Sequence, residues 1–269
     1  MSTLAVDQAE SLRRMLAPRV TRRIAVVASE RGAGATTIAL GLSHALAMQG
    51  ERVLLVDEDT AGHAVRRSGA EPAGTLADVQ AGRLTLEAAL GARHAGTVAV
   101  LPAGQALPQG IQPADPMSGF RSVLLDAMTD ADGALSAMAG AAHNVLVVMR
   151  PELASITAAY ACIKRLHHLY ACRHFHLLVN MAPNEAAVQA ITGNLARTAR
   201  QYLGVEIACA GWLPPDPLLT RSVELGRCVV EAYPAAPATT ALRRTASGIG
   251  AWPLHAEPVT PAARAVVAA

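Results

Sequence analysis

The chain has 269 residues, a formal net charge of +2, 52% hydrophobic residues and 3% aromatic ones. That length suits one large α/β domain whose core is built of Ala, Val and Leu. The small net charge argues against a chain dedicated to nucleic acid, and no apolar run is long enough to span a bilayer. The polar, charged N-terminus does not read as a secretory leader, and Cys162, Cys172, Cys209 and Cys228 are too scattered for a metal or disulfide framework. The expectation is a soluble cytoplasmic protein with reduced thiols.

In residues 1–16, Ala9, Leu12 and Leu16 fall on one face at helical spacing and the charges mostly elsewhere, which predicts a short helix. The following residues, to about 22, contain Pro18 with arginine and threonine and read as a tether. A helix too short to be stable alone, held ahead of a domain, is either offered to a partner or packed back on that domain; the pattern leaves both open.

From residue 23 the chain alternates apolar β-rich runs with helical ones. The runs are residues 24–28, 53–56, 98–101, 123–125, 145–148, 177–179 and 205–208; the helical stretches are 36–49, 76–90, 131–139, 152–169 and 185–203. Unbroken apolar strands between helices predict a mostly parallel, doubly wound sheet covered on both faces, an α/β three-layer sandwich over residues 23–249. Two more helices are expected, one ending near residue 226 and one over 237–249. Residues 250–269 hold three prolines, lack a helical stripe and read as a loose tail.

The segment with the most chemistry is Ser29-Glu30-Arg31-Gly32-Ala33-Gly34-Ala35-Thr36-Thr37, between the first strand and the first long helix. Glycine-permitted backbone amides at a helix start form an anion cradle, so Gly32, Gly34, Thr36 and Thr37 are candidate nucleotide-binding residues. A working loop places a lysine beside the threonines; here that position is Ala35, and the only lysine in the chain is Lys164. The pairs His167-His168 and His174-x-His176 lack an acidic or Cys partner at ligand spacing and read as surface or boundary residues. The pairs Arg22-Arg23, Arg66-Arg67 and Arg243-Arg244 read as solvated faces.

The order of strand, glycine loop, the Val-Leu-Leu-Val run into Asp57-Glu58-Asp59, the Val-Leu-Leu run into Asp126, Leu-Val-Asn180 and Pro214-Pro215-Asp216 resembles the MinD/ParA ATPases, a P-loop NTPase-like group. Within that group, Asp7-Gln8-Ala9-Glu10-Ser11-Leu12-Arg13 is similar to the D-Q-A-x-x-L-R helix of the flagellar-number regulators of FlhG or FleN type. Residues 211–217 and 229–234 are similar to that family's late region, so the likeness covers about residues 5–248.

The resemblance implies a K-G-G-x-G-K-T-T loop with a dimer-bridging lysine at the position of Glu30 and a phosphate-holding lysine at that of Ala35. It implies that Asp57 and Asp126 face Mg²⁺, that Asp59 positions the attacking water where the enzyme is active, and that Asn180, Pro214 and Asp216 lie near the base. The family's glycine after the second magnesium-facing strand is absent from Asp126-Ala127-Met128. With three parts of the phosphate machinery altered, the residues favour weak or lost binding of ATP/ADP with Mg and no hydrolysis over a slow, dimerising ATPase. Arg31 is the cation nearest to hand as a substitute.

The family's N-terminal helix stimulates the flagellar signal-recognition-type GTPase. That implies partner contacts through Asp7, Gln8, Ala9, Leu12, Arg13 and Leu16, with Gln8 of the type that orients a water and Asp7 as helix cap. The expected function is therefore regulation of flagellar number or placement. Flagellar switch-ring proteins and a flagellar transcription activator are further partners that the family implies, with a cytoplasmic location reaching the cell pole or flagellar base through them. The alternatives are the slow ATPase and a MinD-like accessory protein of cellulose secretion. Residues 250–269 show no amphipathic stripe for membrane attachment.

Overall fold

A computed structural model describes residues 20–91, 98–105 and 116–255. Seven strands form one sheet: β1 (Arg22–Ala28), β2 (Val53–Asp57), β3 (Val98–Pro102), β4 (Ser122–Ala127), β5 (Asn144–Met149), β6 (His174–Val179) and β7 (Glu206–Trp212). Their order is β3-β2-β4-β1-β5-β6-β7, and every neighbouring pair is parallel. Strands buried on both faces favour runs of apolar side chains, and β2, β4 and β5 are buried along their whole length, with polar residues only towards their ends.

The helices are α1 (Ala35–Ala47), α2 (His63–Ser68), α3 (Leu76–Gln80), α4 (Leu86–Leu90), α5 (Ala137–Gly140), α6 (Leu153–Tyr170), α7 (Glu185–Leu203), α8 (Pro217–Glu224), α9 (Val229–Ala232) and α10 (Pro237–Ile249). Alternate strand residues serve opposite layers. Ala25 and Val27 of β1 join Ile163 and Leu166 of α6 and Val188 and Leu195 of α7, whereas Ile24 and Val26 join Ile38, Leu42 and Leu46 of α1 and Leu242 of α10. The three-layer sandwich expected from the alternation of runs is the one observed.

Local chemistry moves several boundaries. Residues 76–90 form two helices rather than one, because Thr75 and Thr85 each cap a new start and Gly82, at φ 67°, breaks the chain between them. The helix expected over 131–139 shrinks to α5. Asp130 Oδ1 accepts from the amides of Asp132 and Ala134, closing a turn that Gly133 completes at φ 76°, and the helix begins only after Ser136 caps it. The short α2, set between Gly62 and Gly69, has no counterpart among the expected helices. β7 runs four residues further than expected, to Trp212, across a register shift opposite Leu177 and Leu178.

Two expectations at the base of the sheet are also corrected. His176 is buried rather than at the surface, 6% exposed, with Trp252 stacked on its ring at 3.7 Å. Residues 250–255 are therefore a strap and not a loose tail: Asn144 Nδ2 donates to Pro253 O at 2.8 Å, and the His255 ring stacks on His174 at 4.1 Å. An indole that covers apolar surface at the strand starts holds this segment down. Residues 7–16, which carry the resemblance to a partner-binding helix, and residues 256–269 lie outside the described residues. Among the described residues no helix is long and apolar enough to cross a membrane.

The topology brings the carboxyl ends of β1, β2 and β4 together. In the sheet register Asp126 of β4 lies beside Val26 of β1 on one side and Asp57 of β2 on the other. The glycine loop leaves β1 directly above them, in the crevice where open parallel sheets bind ligands.

Candidate functional site

The loop is held from below. Ser29 N donates to Val148 O at 2.9 Å and Ala33 N to Glu30 O at 3.2 Å, while Asn180 Nδ2 donates to Ala33 O at 2.9 Å. Gly32 and Gly34 have φ 88° and 98°, conformations that side chains resist. A Cβ on Gly34 would collide with the Asn180 amide, whereas one on Gly32 would meet nothing within 4 Å. Gly34 caps α1 without a side-chain bond, so the first-turn amides of a 13-residue helix face outward without a side-chain acceptor.

Two carboxylates lie beneath. Asp57, 1% exposed, accepts from Asp59 N with Oδ1 and from Val65 N with Oδ2, both at 3.0 Å. Burial still pushes its carboxyl above the ordinary range. Asp126, 2% exposed, is pushed up to about 7, by burial first and then by repulsion from Asp57 and Asp59, against the pull of the Thr36 hydroxyl and Arg67. Among the described residues its Oδ2 has no hydrogen-bond partner.

The acid that follows them is engaged. Asp59 takes an N–H from Ala61 at 2.9 Å and pairs through Oδ2 with the His63 ring. Burial raises its carboxyl, but the Ala61 amide, His63 and Arg66 outweigh burial and hold it below the ordinary range. Glu58, which no sequence feature singled out, accepts the Ser136 hydroxyl at 2.6 Å and ties the end of β2 to the loop before α5.

The arginines differ from their expected role. Arg31 is exposed at the loop surface, and Arg66 folds onto Ala61 O. Arg67 is not part of a solvated face. From α2 its Nη1 donates to Thr37 Oγ1 at 3.0 Å, which puts a guanidinium at the start of α1. Only its position one helix after the Asp57 strand could have signalled this.

Asn180 and Pro214 are brought together where β6 and β7 end, since Leu213 N donates to Val179 O and Ala182 N to Leu213 O. Asp216 stands apart from them in role. Its Oδ1 accepts from Leu218 N as the cap of α8, and its Oδ2 accepts from Ala238 N at 2.9 Å at the start of α10. A cavity of about 230 Å³ opens beside Ser29, lined also by Thr129, Gly133, Cys162 and Arg165. Burial pushes the Cys162 thiol up to about 11, away from the thiolate form that reacts.

A family model described as the CobQ/CobB/MinD/ParA nucleotide binding domain matches residues 24–229, a span from β1 to the first residue of α9. The chain belongs to this family. Its curated relatives include the antiactivator FleN of Pseudomonas aeruginosa, 30% identical over 248 residues, covering 87% of this chain and 88% of that protein. An uncharacterized ATP-binding protein of Methanocaldococcus jannaschii is 28% identical over 247 residues, covering 83% of this chain and 86% of that one. In fold, the chain matches the MinD cell division protein of Aquifex aeolicus with a TM-score of 0.66 at 23% identity, covering 88% of this chain and 100% of that one. It matches the septum site-determining protein MinD of Pyrococcus horikoshii, solved with Mg-ADP, with a TM-score of 0.61 at 21% identity, covering 86% and 96%.

As a CobQ/CobB/MinD/ParA-type domain, the site fits part of what a magnesium nucleotide requires. The orphaned Asp126 Oδ2, the neighbouring Thr36 hydroxyl and the glycine cradle suit a hard cation and a phosphate chain. Ala35 and Glu30 do not suit the charge that accumulates during phosphoryl transfer.

Proposed function

We propose that this protein regulates flagellar number or placement, and that its MinD-type domain holds a nucleotide without turning it over. The observation that carries the first half is near-full-length similarity to an antiactivator, FleN, together with the D-Q-A-x-x-L-R sequence at residues 7–13. The second half is supported by the intact glycine backbone and paired carboxylates beside a loop that lacks both lysines.

In this reading Asp57, Asp126 and Thr36 would hold Mg²⁺, which would supply charge neutralisation for the phosphates. Gly32, Gly34, Thr36 and Thr37 offer amides to the phosphates, and Asn180 and Pro214 flank the base. Asp59, with one oxygen on the Ala61 amide and the other on His63, is not free to position an attacking water. Output passes through Asp7, Gln8, Ala9, Leu12, Arg13 and Leu16, which engage the flagellar signal-recognition-type GTPase and raise its rate of GTP hydrolysis. The remaining partners would be flagellar switch-ring proteins or a flagellar transcription activator, reached from the cytoplasm at the cell pole or flagellar base.

The test is GTP hydrolysis by that GTPase with the full chain, with a chain lacking residues 1–20, and with Gln8→Ala. Stimulation should vanish with the deletion and fall strongly with Gln8→Ala, while circular dichroism shows both variants folded. Full stimulation by the truncated chain would refute the helix as the output.

A further inference from the structure

A phosphate loop without lysine needs another cation, because backbone dipoles alone carry only about half an elementary charge at a helix start. Arg31 lies on the loop, and Arg66 and Arg67 lie on α2, which packs against α1. Arg31 is exposed on the loop surface, and Arg66 is turned back onto Ala61 O of its own segment. Arg67 is different: it is half-buried, comes from α2, and ends on Thr37 Oγ1 at 3.0 Å. Thr37 belongs to the first turn of α1, so the guanidinium stands at the start of that helix, where Gly34 supplies no side-chain cap.

We propose that Arg67 is this chain's phosphate-binding cation, acting in place of the lysine that Ala35 replaces. The inference rests on the reading that the loop holds a nucleotide. Thr37 uses one of the five guanidinium N–H groups, and among the described residues Arg67 forms no ion pair with a carboxylate. The remaining donors are thus available to a phosphate oxygen at the start of α1. A fork of fixed planar geometry suits that task better than a flexible ammonium.

The second observation is the Asp126 carboxylate, 2% exposed with Oδ2 unpartnered, whose partner oxygen environment includes the Thr36 hydroxyl next to Thr37. Arg67 bonds Thr37 and not the acid. A guanidinium serving only to neutralise the acids would pair with them. This one stands on the loop side, which leaves the carboxylate for a metal ion.

The experiment is titration calorimetry of the full chain with Mg·ADP and Mg·ATP, comparing the native protein with Arg67→Ala, Arg67→Lys and Arg66→Ala. Urea unfolding of each variant verifies the fold. Loss of a charge-assisted contact should weaken binding about tenfold or more in Arg67→Ala and leave Arg66→Ala within about twofold. Arg67→Lys should recover part of the loss. Equal affinity of native and Arg67→Ala protein would overturn the role of Arg67 and leave nucleotide binding standing. Equal losses in Arg66→Ala and Arg67→Ala would also overturn it, since only the general charge of α2 would then matter. Absence of heat from the native chain at millimolar nucleotide would remove the nucleotide reading itself, and this inference with it.

Discussion

Asp57 and Asp126 are register partners on β2 and β4, so two carboxylates stand side by side at 1% and 2% exposure. Asp57 has two backbone amides to satisfy it, and Asp126 Oδ2 has no partner. Buried like charges are unfavourable unless a cation joins them. Because the folded-state pKa of Asp126 lies near 7 against 3.8 ordinarily, stability from this group is fully present below about pH 4 and is lost as pH rises through 7. In metal-free buffer at pH 8, Asp126→Asn should therefore stabilise the protein by about 1–3 kcal/mol in urea unfolding. The gain should shrink as pH falls toward 4, and a gain independent of pH would show that the carboxylate is not the source.

Gly34 and Asn180 are coupled by space. Gly34→Ala forces a side chain into φ 98° and into the Asn180 amide, and Asn180→Ala removes the bond to Ala33 O. Each single change should cost about 1–3 kcal/mol. The double variant should cost less than the two together, because the collision disappears with the amide while the backbone strain remains. Strict additivity in a double-mutant cycle would mean that Asn180 does not brace the loop.

Asp216 is predicted to act on the fold and not on the ligand. Its two oxygens cap α8 and receive the first amide region of α10, so Asp216→Ala should lower stability by about 1–3 kcal/mol. Nucleotide affinity, compared at a temperature where both proteins are folded, should stay within about twofold. A selective loss of affinity with unchanged melting would return Asp216 to the base-binding side of the site.

The layers were legible because burial on both faces of a parallel sheet leaves no choice of residue type, as in the Val-Leu-Leu-Val run of β2. The glycine loop was legible because Gly32 and Gly34 meet a conformational demand that few residues can. What was hidden depends on tertiary reach. Nothing in the Arg66-Arg67 pair tells which of two adjacent side chains folds back on Ala61 and which crosses to Thr37. Asp216, next to two prolines, carried the look of a ligand residue, yet its partner Ala238 is 22 positions away. The strap escaped notice because one indole, Trp252, does the work that a stripe of apolar residues does in a helix.

The strap should make the protein acid-sensitive. Burial lowers the His176 pKa from 6.5 to about 4, assisted by the nearby His255, Arg22 and His174. The unfolded chain therefore binds the proton that the folded chain refuses. Stability from this group is complete above about pH 6.5 and is lost as pH falls toward 4. The loss amounts to as much as about 3 kcal/mol. His176→Phe keeps an aromatic ring against Trp252 and removes the titration, so its urea midpoint should vary less between pH 7 and about pH 4.5 than that of the native chain. Parallel pH profiles would place the acid sensitivity elsewhere.

Restoring lysines separates binding from turnover. Ala35 is the first residue of α1, so a lysine there would add a cation at the helix end of the loop, and Glu30→Lys removes a repelling charge at the far end. The double variant should bind Mg·ATP about tenfold tighter or more by calorimetry. It should still release no more phosphate than the native chain, for two reasons. Asp59 remains fastened to His63 and to the Ala61 amide, and Ala127 takes the place of the glycine that the family resemblance implies after this strand. Phosphoryl transfer depends on positioning these groups together, so a cation alone does not recover it. Turnover appearing with the two lysines would mean that the Asp59–His63 clamp opens on binding, and releasing it with His63→Ala should then raise the rate further.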